Sequence, residues 1–172
     1  RRLAEAILDA AGGAGYAYRQ DVFRTISTDF TIATSLDINA LISNSKLVCA
    51  PILSGSWNEP YQVLSISRNG TNAQVAVYIG TAAGTPSQNA TFPAGTMSTG
   101  PGKRYIISRA GTSAWMVHNG VRYTPSSSTL TANAVAFNTG GHVALLNRSQ
   151  GTVGEGTSGV MQYAAIWNRS LS

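Results

Sequence analysis

The sequence predicts an all-β protein, a two-sheet antiparallel jelly-roll sandwich with a short N-terminal helix or arm. Short apolar runs recur at close spacing, Asn-Gly pairs separate some of them, and no helical run lies between them after residue 20. Charged residues make up 11% of the chain and glycine supplies 18 of its 172 positions. This composition is typical of short strands with neutral polar surfaces, and the length suits one sandwich domain.

The first 20 residues are predicted to form a separate segment. Leu3 and Ile7 share one face of a helix over Arg1–Ala11, alanine is frequent, and Gly12 with Gly13 supplies the stop. The arginines at its start oppose the helix dipole, so we expect the helix to begin upstream or to dock onto a partner. The chain is therefore divided into an arm over 1–20, a candidate attachment segment, and a sandwich over 21–172.

Alternation of apolar and polar residues locates the strands. In Asp29–Asn39, Phe30, Ile32, Leu36 and Ile38 are in phase, which predicts a strand with one buried face. The other predicted strands are Lys46–Ser54, Tyr61–Arg68, Ala73–Gly80, Arg104–Arg109, Val135–Phe137 and His142–Asn147.

Turns and loops connect these strands. Ser113–Thr124 is predicted to be a hairpin because Asn119 and Gly120 are typical of a type I′ turn. Asn69 and Gly70 predict a second hairpin. Thr81–Gly102 is predicted to be a long irregular connection in which Phe92 and Met97 are isolated apolar anchors.

The C-terminal stretch Ser158–Ser172 is predicted to be the closing strand. Met161, Tyr163, Ala165 and Trp167 fall on one side of it, and the other side is also largely apolar. A strand that is apolar on both faces is typical of a sheet covered on both sides, so Tyr163 and Trp167 are expected in the core.

An ordered set of segments carries a family resemblance. An FTI strand near the start is followed by PILS with a Trp-containing loop, YQVLSISRNG, the WMVHNGVRY hairpin, HVALLNRS and a terminal GVMQYAAIWNRSLS. From about Phe23 to Ser172 this order resembles the concanavalin A-like, or LamG-like, jelly-roll family. The resemblance implies two stacked antiparallel sheets with the chain ends close together. Members of the family include lectins, glucanases, adhesion modules, and domains of bacteriophage tails and head decorations.

The acidic residues argue against an enzyme. A retaining glucanase needs two carboxylates about 5 to 5.5 Å apart, often on alternate residues of one strand. The seven acidic residues include no Glu-x-Asp or Asp-x-Glu pair, and no Gly-x-Ser-x-Gly motif occurs. His118 and His142 are expected at a surface or strand edge rather than as a catalytic base or metal pair. The chain is therefore predicted to be non-catalytic.

Charge, cysteine content and hydropathy argue against several other kinds of protein. The net charge of +5 is scattered along the chain, so no nucleic-acid partner is expected. Cys49 is the only cysteine, which rules out an intramolecular disulfide and suggests a buried thiol. No apolar run approaches 20 residues, so membrane insertion is not expected. No cofactor or metal is predicted, although a structural calcium at Glu59 or Glu155 is left open.

Two loops carry the candidate ligand-binding residues. Sugar recognition needs aromatic faces and hydrogen-bonding side chains. One loop contains Trp57, Asn58, Glu59 and Tyr61, and a second contains Arg148 and Gln150. The alternative for Trp57 is that it covers an edge of the core. Trp115 and Trp167 lie in predicted strands and are expected in the core.

These features favour a non-catalytic structural or interaction module of a bacteriophage virion, in a head decoration or a tail. Its partners would be other virion proteins or copies of itself, attached through the N-terminal segment. The alternative is a glycan-binding adhesin or lectin module, extracellular or on a bacterial cell surface, that binds a cell-surface glycan through the Trp57 loop.

Overall fold

The computed structural model confirms the predicted two-sheet antiparallel sandwich. It describes residues 8–9, 17–19, 29–41, 46–50, 64–69, 74–79, 88–132, 143–145, 157–167 and 169–171. These ranges contain no helix, and hence none long and apolar enough to cross a membrane. Their strands are β1 (Leu8–Asp9), β2 (Ala17–Arg19), β3 (Phe30–Ala40), β4 (Lys46–Ala50), β5 (Leu64–Asn69), β6 (Gln74–Ile79), β7 (Gln88–Thr91), β8 (Gly100–Ala110), β9 (Ser113–His118), β10 (Val121–Tyr123), β11 (Ser127–Ser128), β12 (Val143–Leu145) and β13 (Ser158–Trp167).

The strands form two sheets. One has six strands in the order β1-β13-β3-β8-β9-β10, and the other has seven in the order β11-β7-β6-β5-β4-β12-β2. The long strands β13, β3 and β8, of 10, 11 and 11 residues, are neighbours in the six-stranded sheet. This sheet therefore provides the longest continuous surface among the described residues.

The core lies on the inner side of the six-stranded sheet. Phe30, Ile32, Leu36 and Ile38 of β3 are all at most 1% exposed, which confirms the predicted alternation. Neighbouring strands add further fully buried side chains, namely Tyr105, Ile107, Met116 and Met161. Burial of each large apolar side chain stabilises the fold by about 1.5 to 3 kcal/mol, so these rows account for much of the stability.

In the described part of the predicted irregular connection, Gln88–Thr91 forms β7, the segment Phe92–Thr99 follows, and Gly100–Gly102 begin β8. Phe92 and Met97 are fully buried, as expected of its anchors. The Thr96 hydroxyl accepts a hydrogen bond from the Val75 amide (3.0 Å) and donates one to the Pro93 carbonyl (2.8 Å). The first bond fastens the connection to β6, and the second closes a turn within the connection.

Both predicted hairpins are confirmed by their strand pairing. His118 pairs with Val121, and the two residues between them have φ of 48° (Asn119) and 85° (Gly120), as a type I′ turn requires. In the other hairpin Asn69 pairs with Gln74, so the connection is longer than the Asn-Gly pair alone. The predicted strand Val135–Phe137 lies outside the described residues.

The predicted N-terminal helix is corrected at Leu8 and Asp9, which form strand β1 and pair with Met161 and Val160 of β13. Ala17–Arg19, also within the predicted arm, forms β2 and pairs with β12 at the edge of the other sheet. Sheet pairing supplies long-range hydrogen bonds that outweigh a local helix preference. The division of the chain at residue 20 stays a prediction, although both described pieces of the arm pair with sandwich strands.

The predicted facing of the closing strand is also corrected. Met161 pairs with Leu36 and Tyr163 with Ser35, so Gln162 is an extra residue, a β-bulge. The bulge shifts the alternation by one position: Met161 is 1% exposed and faces the core, whereas Tyr163 is 37% exposed. Trp167 is only half-buried. Tyr163 is therefore a surface residue rather than a core residue.

Candidate functional site on the open face of the six-stranded sheet

The ligand-binding residues predicted from the sequence lie outside the described residues. These residues are Trp57, Asn58, Glu59, Tyr61, Arg148 and Gln150, and their role stays a prediction. Among the described residues, a different surface combines aromatic, apolar and cationic side chains. It is the outer face of the six-stranded sheet, which we call the open face.

Register places the side chains of the open face. Across neighbouring strands Ala33 pairs with Ile106, Ile106 with Val117, and Val117 with Arg122. Ile106 is 37% exposed, Ala33 and Val117 are half-buried, and Arg122 is exposed. Side chains directly opposite on one face lie close enough to touch. This row is therefore a continuous apolar floor that ends at a cation.

Trp115 and Arg122 form a pair at the β9–β10 end of this row. The Arg122 guanidinium carbon lies 4.6 Å from the centroid of the Trp115 ring. Such a contact fixes the plane of the guanidinium and so orients its N–H donors. The prediction that Trp115 lies in the core is wrong, because its side chain is half-buried on the outer face and its neighbour Met116 faces inward.

Arg104 supplies a second cation on the open face. Its backbone is held by the β9–β10 turn: the Arg104 amide donates to Asn119 Oδ1 (3.0 Å), and the Asn119 amide donates to the Arg104 carbonyl (3.1 Å). In the described part of the chain, neither Arg104 nor Arg122 has a carboxylate within ion-pair distance, and both are exposed. Their hydrogen-bonding capacity is thus open to a ligand.

The C-terminal segment 169–171 borders the open face. The Thr31 hydroxyl donates to the Arg169 carbonyl (2.9 Å), and the Leu171 amide donates to the hydroxyl oxygens of Thr31 (3.1 Å) and Ser108 (3.2 Å). Thr31 and Ser108 are 0% exposed although they lie on the outer side of the sheet. The segment therefore covers that end of the sheet and leaves the Ile106 row uncovered.

His118, expected at a surface or strand edge, is buried on the inner face at 8% exposure. Its ring stacks on Tyr105 with centroids 4.4 Å apart, and its Nδ1 lies 3.1 Å from the Arg104 carbonyl oxygen. Burial lowers the pKa of His118, and the bond to the Arg104 carbonyl opposes this in part. Burial also raises the pKa of Tyr105 to about 12. This pair packs on the inner face of the sheet, on the side opposite to the Arg104 side chain.

The lowered pKa of His118 predicts a pH dependence of stability. The folded state disfavours the protonated ring, so its full contribution is present above the ordinary pKa of 6.5 and is lost as the pH falls through the lower folded value. We expect the free energy of unfolding, measured by urea denaturation, to fall between pH 7 and about 5 more steeply in the wild type than in His118→Phe, which keeps a ring for the stack. Parallel curves for the two proteins would contradict this assignment.

The two carboxylates of the β3 region, Asp29 and Asp37, do not form a hydrolytic pair. Asp29 precedes β3 and Asp37 lies near its far end, about 26 Å apart at ~3.3 Å per residue. Each binds a backbone amide, Asp29 that of Gly111 (2.9 Å) and Asp37 that of Gly102 (2.7 Å). Among the described residues no three His, Cys, Asp or Glu side chains lie close enough to hold a metal ion. Glu59 and Glu155 lie outside these residues, and the expected lack of a cofactor stays a prediction.

Comparison with known proteins identifies the fold. No protein-family model and no curated protein matches the chain. Among solved structures, the CBM40 domain of the Ruminococcus gnavus IT-sialidase bound to α2,3-sialyllactose has a TM-score of 0.70 at 13% identity, covering 100% of this chain and 95% of that one. Domain 4 of a GH43 extracellular arabinanase from Geobacillus stearothermophilus was solved in complex with arabinotriose. It has a TM-score of 0.62 at 13% identity, and the match covers 89% of this chain and 66% of that one.

A third structure extends this likeness. The heptameric SAP-like pentraxin from Limulus polyphemus has a TM-score of 0.62 at 10% identity, covering 96% of this chain and 76% of that one. None of these three proteins is a virion protein. The chain therefore has the β-sandwich fold of these domains, which is consistent with the concanavalin A-like resemblance found in the sequence.

Proposed function

We propose that the chain is a non-catalytic glycan-binding module that binds sugars on the open face. The observation that carries this proposal is the pairing of Trp115 with Arg122 at the end of the exposed row through Ile106 and Val117. A sugar ring has apolar C–H faces and a rim of hydroxyl groups. Its C–H face packs on the apolar floor and on the edge of Trp115, while the guanidinium donates to the hydroxyls.

The fold comparisons support this reading over the virion role. The R. gnavus domain was solved with sialyllactose and the G. stearothermophilus domain with arabinotriose, and the latter belongs to an extracellular enzyme. Both are modules attached to glycoside-acting enzymes, and Asp29 and Asp37 are too far apart to act as a hydrolytic pair. The alternative stated from the sequence therefore fits better: a glycan partner and an extracellular or cell-surface location. The Trp57 loop remains a candidate for further contact with the same ligand.

Replacing Trp115 by alanine tests the proposal. The wild type is screened on a glycan array, and its strongest hit is measured by isothermal titration calorimetry. We expect Trp115→Ala to weaken binding at least about tenfold, because burying a large aromatic surface contributes about 1.5 to 3 kcal/mol and 1.4 kcal/mol is tenfold in affinity.

The matched control is Val121→Ala, which removes an exposed apolar side chain (53% exposed) from β10 on the opposite side of the sheet. It should leave the affinity unchanged, and thermal melting checks that each variant is folded. A wild type that binds no glycan, or one whose affinity is the same in Trp115→Ala, would overturn the proposal.

A further inference from the structure

The β-bulge in β13 places two consecutive side chains on the open face. Because Gln162 is inserted between the pairs Met161–Leu36 and Tyr163–Ser35, both Gln162 and Tyr163 are exposed, where regular alternation would turn one of them inward. Bulges often re-aim side chains next to functional sites. The bulge leaves Gln162 without a partner in the strand ladder, which costs hydrogen bonds between β13 and β3. The bonds that the Gln162 side chain makes instead indicate what the bulge provides.

Gln162 is held in one orientation by its neighbours. Its Nε2 donates to Asp37 Oδ1 (3.1 Å), and the Ser35 hydroxyl donates to its Oε1 (2.9 Å). Asp37 Oδ1 also accepts from the Gly102 amide (2.7 Å). We call Ser35, Asp37 and Gln162 the polar corner. Hydrogen bonds between exposed groups add little to stability, but they pre-organise the polar corner and so lower the entropic cost of binding a ligand there.

The polar corner has the groups that bind adjacent hydroxyls. The second Gln162 amide hydrogen and Asp37 Oδ2 have no partner among the described residues. Arg104 lies directly opposite Ser35 on the same face, and the Tyr163 ring is exposed beside them. A donor, an acceptor, a cation and an aromatic ring thus converge at the β13–β3–β8 end of the open face.

The separation of the two ends of the open face indicates the size of the ligand. Gln162 is on β13 and Arg122 is on β10, four strand spacings apart. At about 4.8 Å per spacing this is about 19 Å, which is longer than a single sugar ring.

Building on the proposed function, we infer that the open face is an extended site for an oligosaccharide laid across the strands. The Trp115–Arg122 pair anchors one end of the ligand, and the polar corner binds hydroxyl groups at the other end. A monosaccharide fills only one end and binds correspondingly weakly.

Binding of immobilised glycans, from monosaccharides to hexasaccharides, by the wild type and Gln162→Ala tests this inference. We expect the wild type to bind trisaccharides and longer glycans more tightly than any monosaccharide. Gln162→Ala should bind the long glycans with roughly tenfold lower affinity, because hydrogen bonds to an oriented polar group are lost. Its affinity for the short glycans should change little. The control is Asn39→Ala, which removes an exposed side-chain amide on the neighbouring strand β3 that makes none of the polar-corner bonds.

The outcomes separate the two proposals. Monosaccharides that bind as tightly as long glycans, or long glycans that bind Gln162→Ala and the wild type equally while Trp115→Ala loses them, would overturn the extended site and leave the glycan-binding function standing. A wild type that binds no glycan would overturn both. Because Gln162 is exposed, its variant is expected to melt close to the wild-type temperature.

Discussion

Gly159→Ala is expected to lower the free energy of unfolding by about 3 kcal/mol, because the new methyl group has no room. Gly159 lies against the backbone of β3, at the register shift between Ser158 and Gly159. A Cβ there would overlap the carbonyl oxygen of Asp37 and would also meet the Asp37 carbonyl carbon (3.1 Å) and Ile38 Cα (3.2 Å). These are backbone atoms of a central strand, so relief requires the two strands to separate.

Urea denaturation of the purified variant measures this loss. The matched control is Gly95→Asn, since a Cβ at Gly95 would meet nothing within 4 Å and the φ of 78° there is tolerated by asparagine better than by other non-glycine residues. We expect the control to cost less than about 1 kcal/mol. Equal losses in the two variants would mean that the close approach of β13 and β3 is not what restricts position 159.

Local patterns were sufficient to predict the elements that depend on local chemistry. β3 could be predicted because every second residue from Phe30 to Ile38 is apolar or small, and one face of that strand is buried. The β9–β10 turn could be predicted because an Asn-Gly pair favours positive φ at both positions, and Asn119 and Gly120 both adopt it. In both cases the residues themselves determine the geometry.

Features that depend on pairing between distant strands could not be predicted. The extra residue at Gln162 is visible only when β13 is aligned with β3, so the sequence placed Tyr163 in the core. In β9 both faces are apolar, and pairing with β8 decides that Met116 faces inward and Trp115 outward. The helix predicted over Arg1–Ala11 failed at Leu8 for the same reason, since its partner is Met161.

The candidate site illustrates the same limit. Sequence clustering selected the Trp57 loop because its polar and aromatic residues are adjacent in the chain. The open face instead combines Ser35, Arg104 and Gln162, which come from three strands far apart in sequence. The one available signal was the Asn-Gly hairpin, which places Trp115 and Arg122 on neighbouring strands.

A buried arginine links the two sheets at one end of the sandwich. Arg109 is 1% exposed; its Nε donates to the Gly111 carbonyl (2.8 Å), and one terminal nitrogen donates to the Thr131 carbonyl (2.7 Å) and to Gln88 Oε1 (3.2 Å). Gln88 belongs to β7 of the other sheet. Burial lowers the pKa of Arg109, and the charge of Asp29 raises it in part. An arginine side chain keeps its proton at neutral pH, so the buried charge is compensated by acceptors from three segments.

Arg109→Met is therefore expected to lower the free energy of unfolding by about 3 to 5 kcal/mol, since removing one member of a buried charged network leaves the others unsatisfied. For a chain of this length that corresponds to a fall in melting temperature of roughly 10 °C. The stability of Arg109→Lys should lie between that of the wild type and that of Arg109→Met. An ammonium keeps the charge near Asp29 but cannot reproduce the planar set of donors.

Differential scanning calorimetry of these variants, with Arg104→Met as the control, separates burial from charge. Arg104 is on the same strand and carries the same charge, but it is exposed, so its loss should change the stability by about 0.5 kcal/mol or less. A double-mutant cycle with Gln88→Ala should give a coupling energy above about 0.5 kcal/mol, as expected for residues in one hydrogen-bond network. If Arg109→Met had the same melting temperature as the wild type, or if the cycle showed no coupling, the two sheets would be held together at this end by apolar packing alone.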